Sequence, residues 1–463
     1  MGPSSYGTEV LIRGGTVVTP EAMFVADVLI GDGVIRALGT DLPTPPGSEV
    51  IEAEGLLVLP GIVDAHTHLQ LDTGIFQTSD TWLQGSRAAA FGGITTVVDF
   101  ATQMQGQTFA EALATRLAEA AGSVIDYALH MMVTDLPPGQ EEELGALPEL
   151  GIQSIKIYTT YRPIYYADDA TVLRWLETAS RYGLASLVHC ENDALVTAQT
   201  AMLVAGGHTG WAYHGASRPP LAEQEAVSRV LLLAGAVDAP VVIAHASTGR
   251  SVEMVVEARA AGQVAFSETT PQYLLLDRTR YEGGEPWRYI LQPPLRAPAE
   301  LQALWDLVAA GHVEMIVTDH CDYKRAQKLA TDDFTKTPGG LPGTETSLSL
   351  MATYGVATER IGWPDLVRMM AANPAQIYNL WPRKGALMPG SDGDVVLFDP
   401  AYEGVIAGED LHGVAGYSPF EGMQVKGRVV STLRRGEFLV REGAFVAEPG
   451  SGEYVKREPR FWD

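Results

Sequence analysis

A chain of 463 residues is long enough for a large core and more than one domain, and at 46% hydrophobic and 19% charged residues it is globular rather than disordered. Its net charge of -25 argues against nucleic acid or an anionic membrane surface as partner. Two cysteines, Cys190 and Cys321, cannot build a disulfide framework, and no apolar run approaches the roughly 20 residues that span a bilayer, so a reducing, cytoplasmic setting is expected.

The opening MGPSSYGTEV has no basic stretch ahead of an apolar one, so no secretory signal is expected, and Pro3 argues against acylation at Gly2. Strand-like segments follow at 10–13, 16–18, 27–30 and 34–37, with Gly14-Gly15 and Gly31-Asp32-Gly33 read as hairpin turns. A Pro-rich loop covers 41–48, and Leu56-Leu57-Val58-Leu59 forms a strand ended by Pro60-Gly61. Eight short apolar runs come next, at 62–68, 95–100, 127–133, 154–160, 185–191, 241–247, 264–270 and 314–320. Helix-compatible segments lie between them, at 109–121, 170–182, 222–236, 249–261 and 298–310. Strand then helix, eight times, predicts an α/β fold of the TIM type, a (β/α)8 barrel. The rival is a doubly wound open sheet, which the absence of a GxGxxG turn after the first strand weakens. Beyond the barrel, 394–398, 425–433 and 437–440 are again strand-like. The expected division is a barrel over 61–385 and a small β-sandwich domain built from both chain ends, 1–60 and 386–463.

The first barrel run closes on His66-Thr67-His68. Residues two apart on a strand point the same way, so two imidazoles would converge on one spot, which suits a divalent metal. A barrel carries its chemistry at the C-terminal ends of its strands. There the sequence places Lys156 in strand four, His189 in strand five, His245 in strand six and Asp319 in strand eight. Each alone has an ordinary structural explanation: a core histidine, an aspartate capping the next segment, a lysine reaching for solvent. Together they mark one shared site. Lys156 is the sharpest of them, because an ammonium beside two cations is repelled and costly to bury. Carbamylation by carbon dioxide removes that charge and makes a carboxylate able to bridge two metals. Six ligands for two ions match an arrangement that activates water between them.

The motif at 61–68, the strand-four lysine, the two later histidines and Thr318-Asp319-His320 resemble the amidohydrolase superfamily. Ser154-Ile155-Lys156-Ile157-Tyr158, Gln292-Pro293-Pro294-Leu295-Arg296, Asp333-Phe334-Thr335-Lys336, Gly340-Leu341-Pro342-Gly343-Thr344-Glu345, Asn373-Pro374-Ala375 and Tyr417-Ser418-Pro419-Phe420-Glu421-Gly422 resemble its cyclic-amidase branch, the hydantoinases and dihydropyrimidinases. The resemblance covers nearly the whole chain. It implies that His66, His68 and Asp319 hold the more buried of two divalent ions, usually zinc. It implies that His189 and His245 hold the second, and that carbamylated Lys156 bridges both. It further implies Tyr161 as donor to a developing oxyanion and Asp319 as proton shuttle, in opening a hydantoin or dihydropyrimidine to an N-carbamoyl amino acid.

Two substrate-binding positions depart from the hydantoinase pattern. The residue before Pro-Pro-Leu-Arg is usually serine and is Gln292 here; the asparagine of a Pro-Asn-Gly turn corresponds to Gly339. Both changes alter the pocket's shape. The loop at 69–77 also departs, and its Leu71, Ile75 and Phe76 offer an apolar wall for a bulky substituent. Allantoinase is the nearest enzymatic rival. Dihydroorotase lacks a clear carboxylate-binding set here, and a catalytically silent scaffold of this fold would lack the metal ligands. The resemblance also implies a homotetramer, with residues 417–462 helping assembly.

Overall fold

The computed structural model describes residues 9–137 and 139–459. Gly2 and Pro3, and the last residues of the expected assembly segment, lie outside the described residues. The front of the chain supplies β1 (Val10–Val18), β2 (Met23–Gly31), β3 (Val34–Gly39), β4 (Glu49–Glu52) and β5 (Leu57–Pro60). β1 pairs antiparallel with β2; on its other side its first half pairs with β4 and its second half with β5. The register shifts between Ile12 and Gly15, where one partner gives way to the other. Gly14-Gly15, expected as a hairpin turn, is instead a bulge within one strand. Gly14 takes φ +70°, and a Cβ on Gly15 would run into the Val58 side chain, so the pair bends β1 without reversing it. Gly31-Asp32-Gly33 does reverse the chain, with φ +52° at Asp32 and +78° at Gly33, the paired positive values of a twist-matched hairpin turn.

The eight apolar runs form β6 (Ile62–Asp64), β7 (Ile94–Thr102), β8 (Asp126–Met132), β9 (Ser154–Tyr158), β10 (Ala185–His189), β11 (Val241–Ile243), β12 (Ala265–Thr269) and β13 (Met315–Ile316), parallel neighbours in sequence order. Alternation along each strand sorts the side chains: Ile155 and Ile157 join the core under the helices, and Tyr158 joins the inner one. The ring is drawn shut at the ends of β6 and β13, where Thr318 donates to Asp64 through its backbone N at 3.0 Å and its Oγ1 at 2.5 Å. Helices Phe109–Glu119, Asp169–Arg181, Pro220–Ala236, Gly249–Ala260 and Pro298–Ala309 follow the expected bounds within two residues. Thr108, Asp168 and Thr248 cap three of them, and prolines open the other two. No described helix is long and apolar enough to cross a membrane.

β14 (Val395–Val405), β15 (Gln424–Arg434), β16 (Glu437–Arg441) and β17 (Ala444–Phe445) return to the first sheet, β14 pairing antiparallel with β5. The result is one nine-stranded sheet made from both ends of the chain. It is fastened to the barrel through Asp126, buried at the start of β8. Lys384 lies 2.6 Å from that carboxylate and 2.9 Å from Asp394, and Arg435 pairs with Asp126 from β15's end.

Candidate metal centre and active site

β6, β11 and β13 stop short of their apolar runs, and residues just beyond them join Lys156 of β9 and His189 of β10 in the site. β6 ends at Asp64, so His66 and His68 lie past the strand rather than on it. Their segment is held from the side: Asp99 of β7 accepts from Thr67 Oγ1 and from the Leu69 backbone N, each at 2.9 Å, and pairs with Arg116. With Thr67 anchored outward, the two imidazoles face the barrel mouth, ring centroids 5.2 Å apart. His245, Asp319 and Tyr161 take φ of +34°, +48° and +74°. Non-glycine residues in this region cost about 1–3 kcal/mol each and persist where the surroundings enforce them. The three residues lie just past β11, β13 and β9, and their side chains line one cavity.

Two groups of donor atoms result. His66 Nε2 and His68 Nε2 lie 3.5 and 3.3 Å from Asp319 Oδ1, all three ligand atoms within 4.8 Å of one another. His189 Nδ1 faces His245 Nε2 at 3.0 Å. Lys156 Nζ, wholly buried in β9, is 3.3 Å from His66 Nε2. A buried carboxylate sets one tautomer: His189 Nε2 donates to Glu191 at 2.8 Å, which leaves the lone pair on Nδ1, toward His245. His66 Nδ1 bonds to Glu268, which turns Nε2 toward Asp319 and Lys156. Burial lowers the pKa of His66, His189 and His245, so all three are neutral ligands at pH 7. Two imidazole nitrogens 3.0 Å apart, near a carboxylate that lies beside two more imidazoles, form a nitrogen and oxygen donor set of the kind that suits divalent cations.

Burial brings Lys156 down to about 8, so a useful fraction of its amine is free to add to carbon dioxide near neutral pH. Burial lifts Glu268 to about 8. Glu191 behaves oppositely: burial alone would raise it, but Arg218 and the His189 bond hold it at about 2. Tyr161 is pushed up by burial and stays a protonated donor; its ring lies 5.0 Å from that of His189, with Arg218 5.2 Å above its face.

One cavity of about 440 Å³ is lined by His66, His68, Lys156, Tyr161, His189, His245, Asp319, Gln292 and Gly339. All the residues singled out from the sequence thus meet there. Leu71, Ile75 and Phe76 line the same cavity, as the loop at 69–77 was expected to. Sequence reasoning missed Glu268, Glu191 and Arg218. Glu268 lies near the end of the seventh apolar run, as the ligands do on other strands, a signal available in the sequence. Glu268 Oε1 also accepts from the His245 backbone N at 3.2 Å, so one carboxylate touches a member of each donor group.

A model of the amidohydrolase family matches residues 57–439. The chain is 39% identical over 453 residues to a D-hydantoinase of Geobacillus stearothermophilus, covering 96% of each, and 39% identical over 455 residues to a D-phenylhydantoinase of Escherichia coli, covering 97% of this chain and 98% of that one. Among solved structures it superposes on a dihydropyrimidinase from Brevibacillus agri with a TM-score of 0.95 at 38% identity, covering 98% of this chain and 99% of the other.

Proposed function

The chain belongs to the amidohydrolase family, and from that premise we propose that it is a cyclic amidase that hydrolyses the ring amide of hydantoins or dihydropyrimidines to N-carbamoyl amino acids. The observation that carries this reading is the meeting of Asp319 Oδ1 with His66 Nε2 and His68 Nε2 on a cavity that also holds Lys156, His189, His245 and Tyr161. His66, His68 and Asp319 would hold one divalent ion and His189 and His245 the second. Lys156, having lost a proton and added to carbon dioxide as a carbamate, would bridge them. Zinc suits this nitrogen and oxygen set, and when bound the pair supplies Lewis acidity toward the ring carbonyl and an activated water.

The chain's own residues do the rest. Tyr161, protonated and aimed into the cavity, donates to the oxygen that becomes negative as the carbonyl carbon turns tetrahedral. Asp319 accepts the proton of the attacking water and delivers it to the ring nitrogen. That delivery is needed because an amide nitrogen leaves poorly as an anion. One C–N bond breaks, one C–O bond forms, and the elements of water are divided between the two product ends. Leu71, Ile75 and Phe76 face the cavity as an apolar wall for the substituent outside the ring. The same reading takes the barrel (61–385) and the two-ended sheet (1–60 and 386–463) as separate domains, supported by the β5–β14 pairing. It takes the working form as a cytoplasmic homotetramer, supported by the family resemblance and by two free cysteines.

The test is a ring-opening panel on hydantoin, dihydrouracil, allantoin and dihydroorotate, with metal analysis of the same preparation. Turnover of hydantoin or dihydrouracil with about two metals per chain is expected. Turnover confined to allantoin or dihydroorotate would redirect the substrate, and a metal-free, inert protein would sink the enzyme reading.

A further inference from the structure

Glu268 stands in β12 with its side chain wholly buried. One of its oxygens, Oε1, serves two donors. It bonds to His66 Nδ1, and the His245 backbone N–H donates to it at 3.2 Å. His66 follows β6 and His245 follows β11, and β13 lies between β12 and β6 in the closed ring. The carboxylate thus reaches past a neighbouring strand to a residue of the first donor group while it holds one of the second beside it. Its other oxygen, Oε2, is buried with no hydrogen-bond partner. An unpaired buried acceptor costs about 1–3 kcal/mol, and such groups are rare in native proteins without a task.

The two histidines of the second group are not held alike. His189 is tied by its ring, since Nε2 donates to Glu191 at 2.8 Å. His245 Nδ1 is buried and has no partner, so no bond to its outer nitrogen fixes that ring. Its aim depends on the backbone that carries it. His245 sits at φ +34°, a conformation that residues with a Cβ rarely adopt. β12 supplies three bonds that hold this turn. Glu268 Oε1 takes the His245 N–H, Glu268 O takes the Ala246 N–H at 2.7 Å, and Thr269 Oγ1 donates to Ala246 O at 2.8 Å. Only the first comes from a group that also holds His66, whose ring centroid lies 5.3 Å from that of His245.

We propose that Glu268 is a positioning residue shared by both metal sites: through one oxygen it orients the His66 ring and fixes the strained backbone that aims His245, so that the two ions are gained or lost together. This rests on the two-metal reading above. A metal-bound imidazole is commonly oriented by a carboxylate on its other nitrogen. Here one carboxylate serves a ligand of each ion, the first by its ring and the second through its main chain. Glu191 is the contrast, because its carboxylate meets only His189 among the proposed ligands.

The test compares wild type with Glu268→Gln, Glu268→Leu and Glu191→Gln, the fold of each checked by circular dichroism and thermal unfolding. Free zinc is set by a chelator buffer containing bicarbonate, and zinc per chain is measured as free zinc rises. Wild type should fill to about two ions. Glu268→Gln keeps the shape and weakens the shared acceptor, and both ions should then need about tenfold more free zinc. Glu268→Leu removes the acceptor, and both should need about a hundredfold more. Glu191→Gln should shift one ion and leave the other within about threefold of wild type. Should Glu268→Leu not fold, Glu268→Gln decides alone. A shift of one ion only in Glu268→Gln, no shift, or the same two-ion shift from Glu191→Gln overturns the proposal. A wild type that takes up no zinc fails the two-metal reading and this inference with it. A wild type holding about two ions beside an unaltered Glu268→Gln fails this inference alone.

Discussion

Glu191 Oε2 lies 2.8 Å from His189 Nε2, and Arg218 pairs with the same oxygen. Arg218 also sits over the Tyr161 ring. One half-buried arginine thus lies against both the carboxylate behind a ligand of the second donor group and the ring of the tyrosine proposed to meet the oxyanion. Removing the charge of Glu191 should free the His189 ring to turn. For Glu191→Gln, metal affinity at the second group should fall about 10–100-fold, with activity regained in excess zinc. Competition titration against a chelator measures it, and an affinity equal to wild type would remove Glu191 from this role.

Asp319 is given two tasks, ligand and proton carrier, and they separate on substitution. An asparagine at this position keeps an oxygen for the metal and cannot accept a proton. Asp319→Asn should therefore hold its metal while kcat drops about 10²–10⁴-fold, the usual weight of a positioned acid–base group. Metal analysis alongside initial rates separates the two tasks, and near wild-type turnover would exclude the shuttle.

Lys156 is wholly buried against His66, where an ammonium would repel bound cations. Reconstitution of metal-stripped protein should be slow in buffer purged of carbon dioxide and accelerate with bicarbonate. Lys156→Ala should take up far less metal under either condition. Identical reconstitution with and without bicarbonate would speak against a carbamate.

The junction between barrel and sheet predicts an acid limb of stability. Burial alone would raise the Asp126 carboxyl, but Lys384, Arg435 and Arg434 together draw it down to about 2, from 3.8 for an exposed aspartate. With the folded pKa depressed, the stabilisation is fully present above about pH 4 and drains away as pH falls toward 2. Burial shifts the neighbouring Asp394 upward, in the opposite sense, so a variant isolates the effect better than wild type alone. Asp126→Asn should cost about 3–5 kcal/mol at pH 7, since it strands buried cations, and should show a flatter acid limb. Denaturant titrations across pH supply both numbers.

The eight-fold alternation is legible in the sequence because each strand and helix announces itself within a few residues, through apolar runs, Thr or Asp caps and opening prolines. The metal-ligand candidates are legible because a barrel brings the ends of its strands together whatever lies between them. Gly14-Gly15 misleads because two glycines permit a reversal and a bulge equally well; which one forms depends on Val58 and Ala53, far off in sequence. Glu268 and Glu191 stand near the ends of their runs as the ligands do, but the sequence does not name their partners, since a carboxylate there becomes a histidine's partner only once the fold brings the two together. The Gln292–Gly339 contact is more distant still: each position stands out alone, and only the fold shows that a Cβ on Gly339 would run into the Gln292 side chain.

The pairing of β5 with β14 has a consequence for how the molecule comes into being. A ribosome releases β1 to β5 first and must make the entire barrel before β14 appears, so the edge of β5 waits unpaired through most of synthesis. Exposed strand edges are where chains stick to one another, and closing so long a loop is slow. The barrel can assemble while that edge waits; the front sheet cannot be finished until the tail arrives, which makes pairing of the last strands the step that covers that edge.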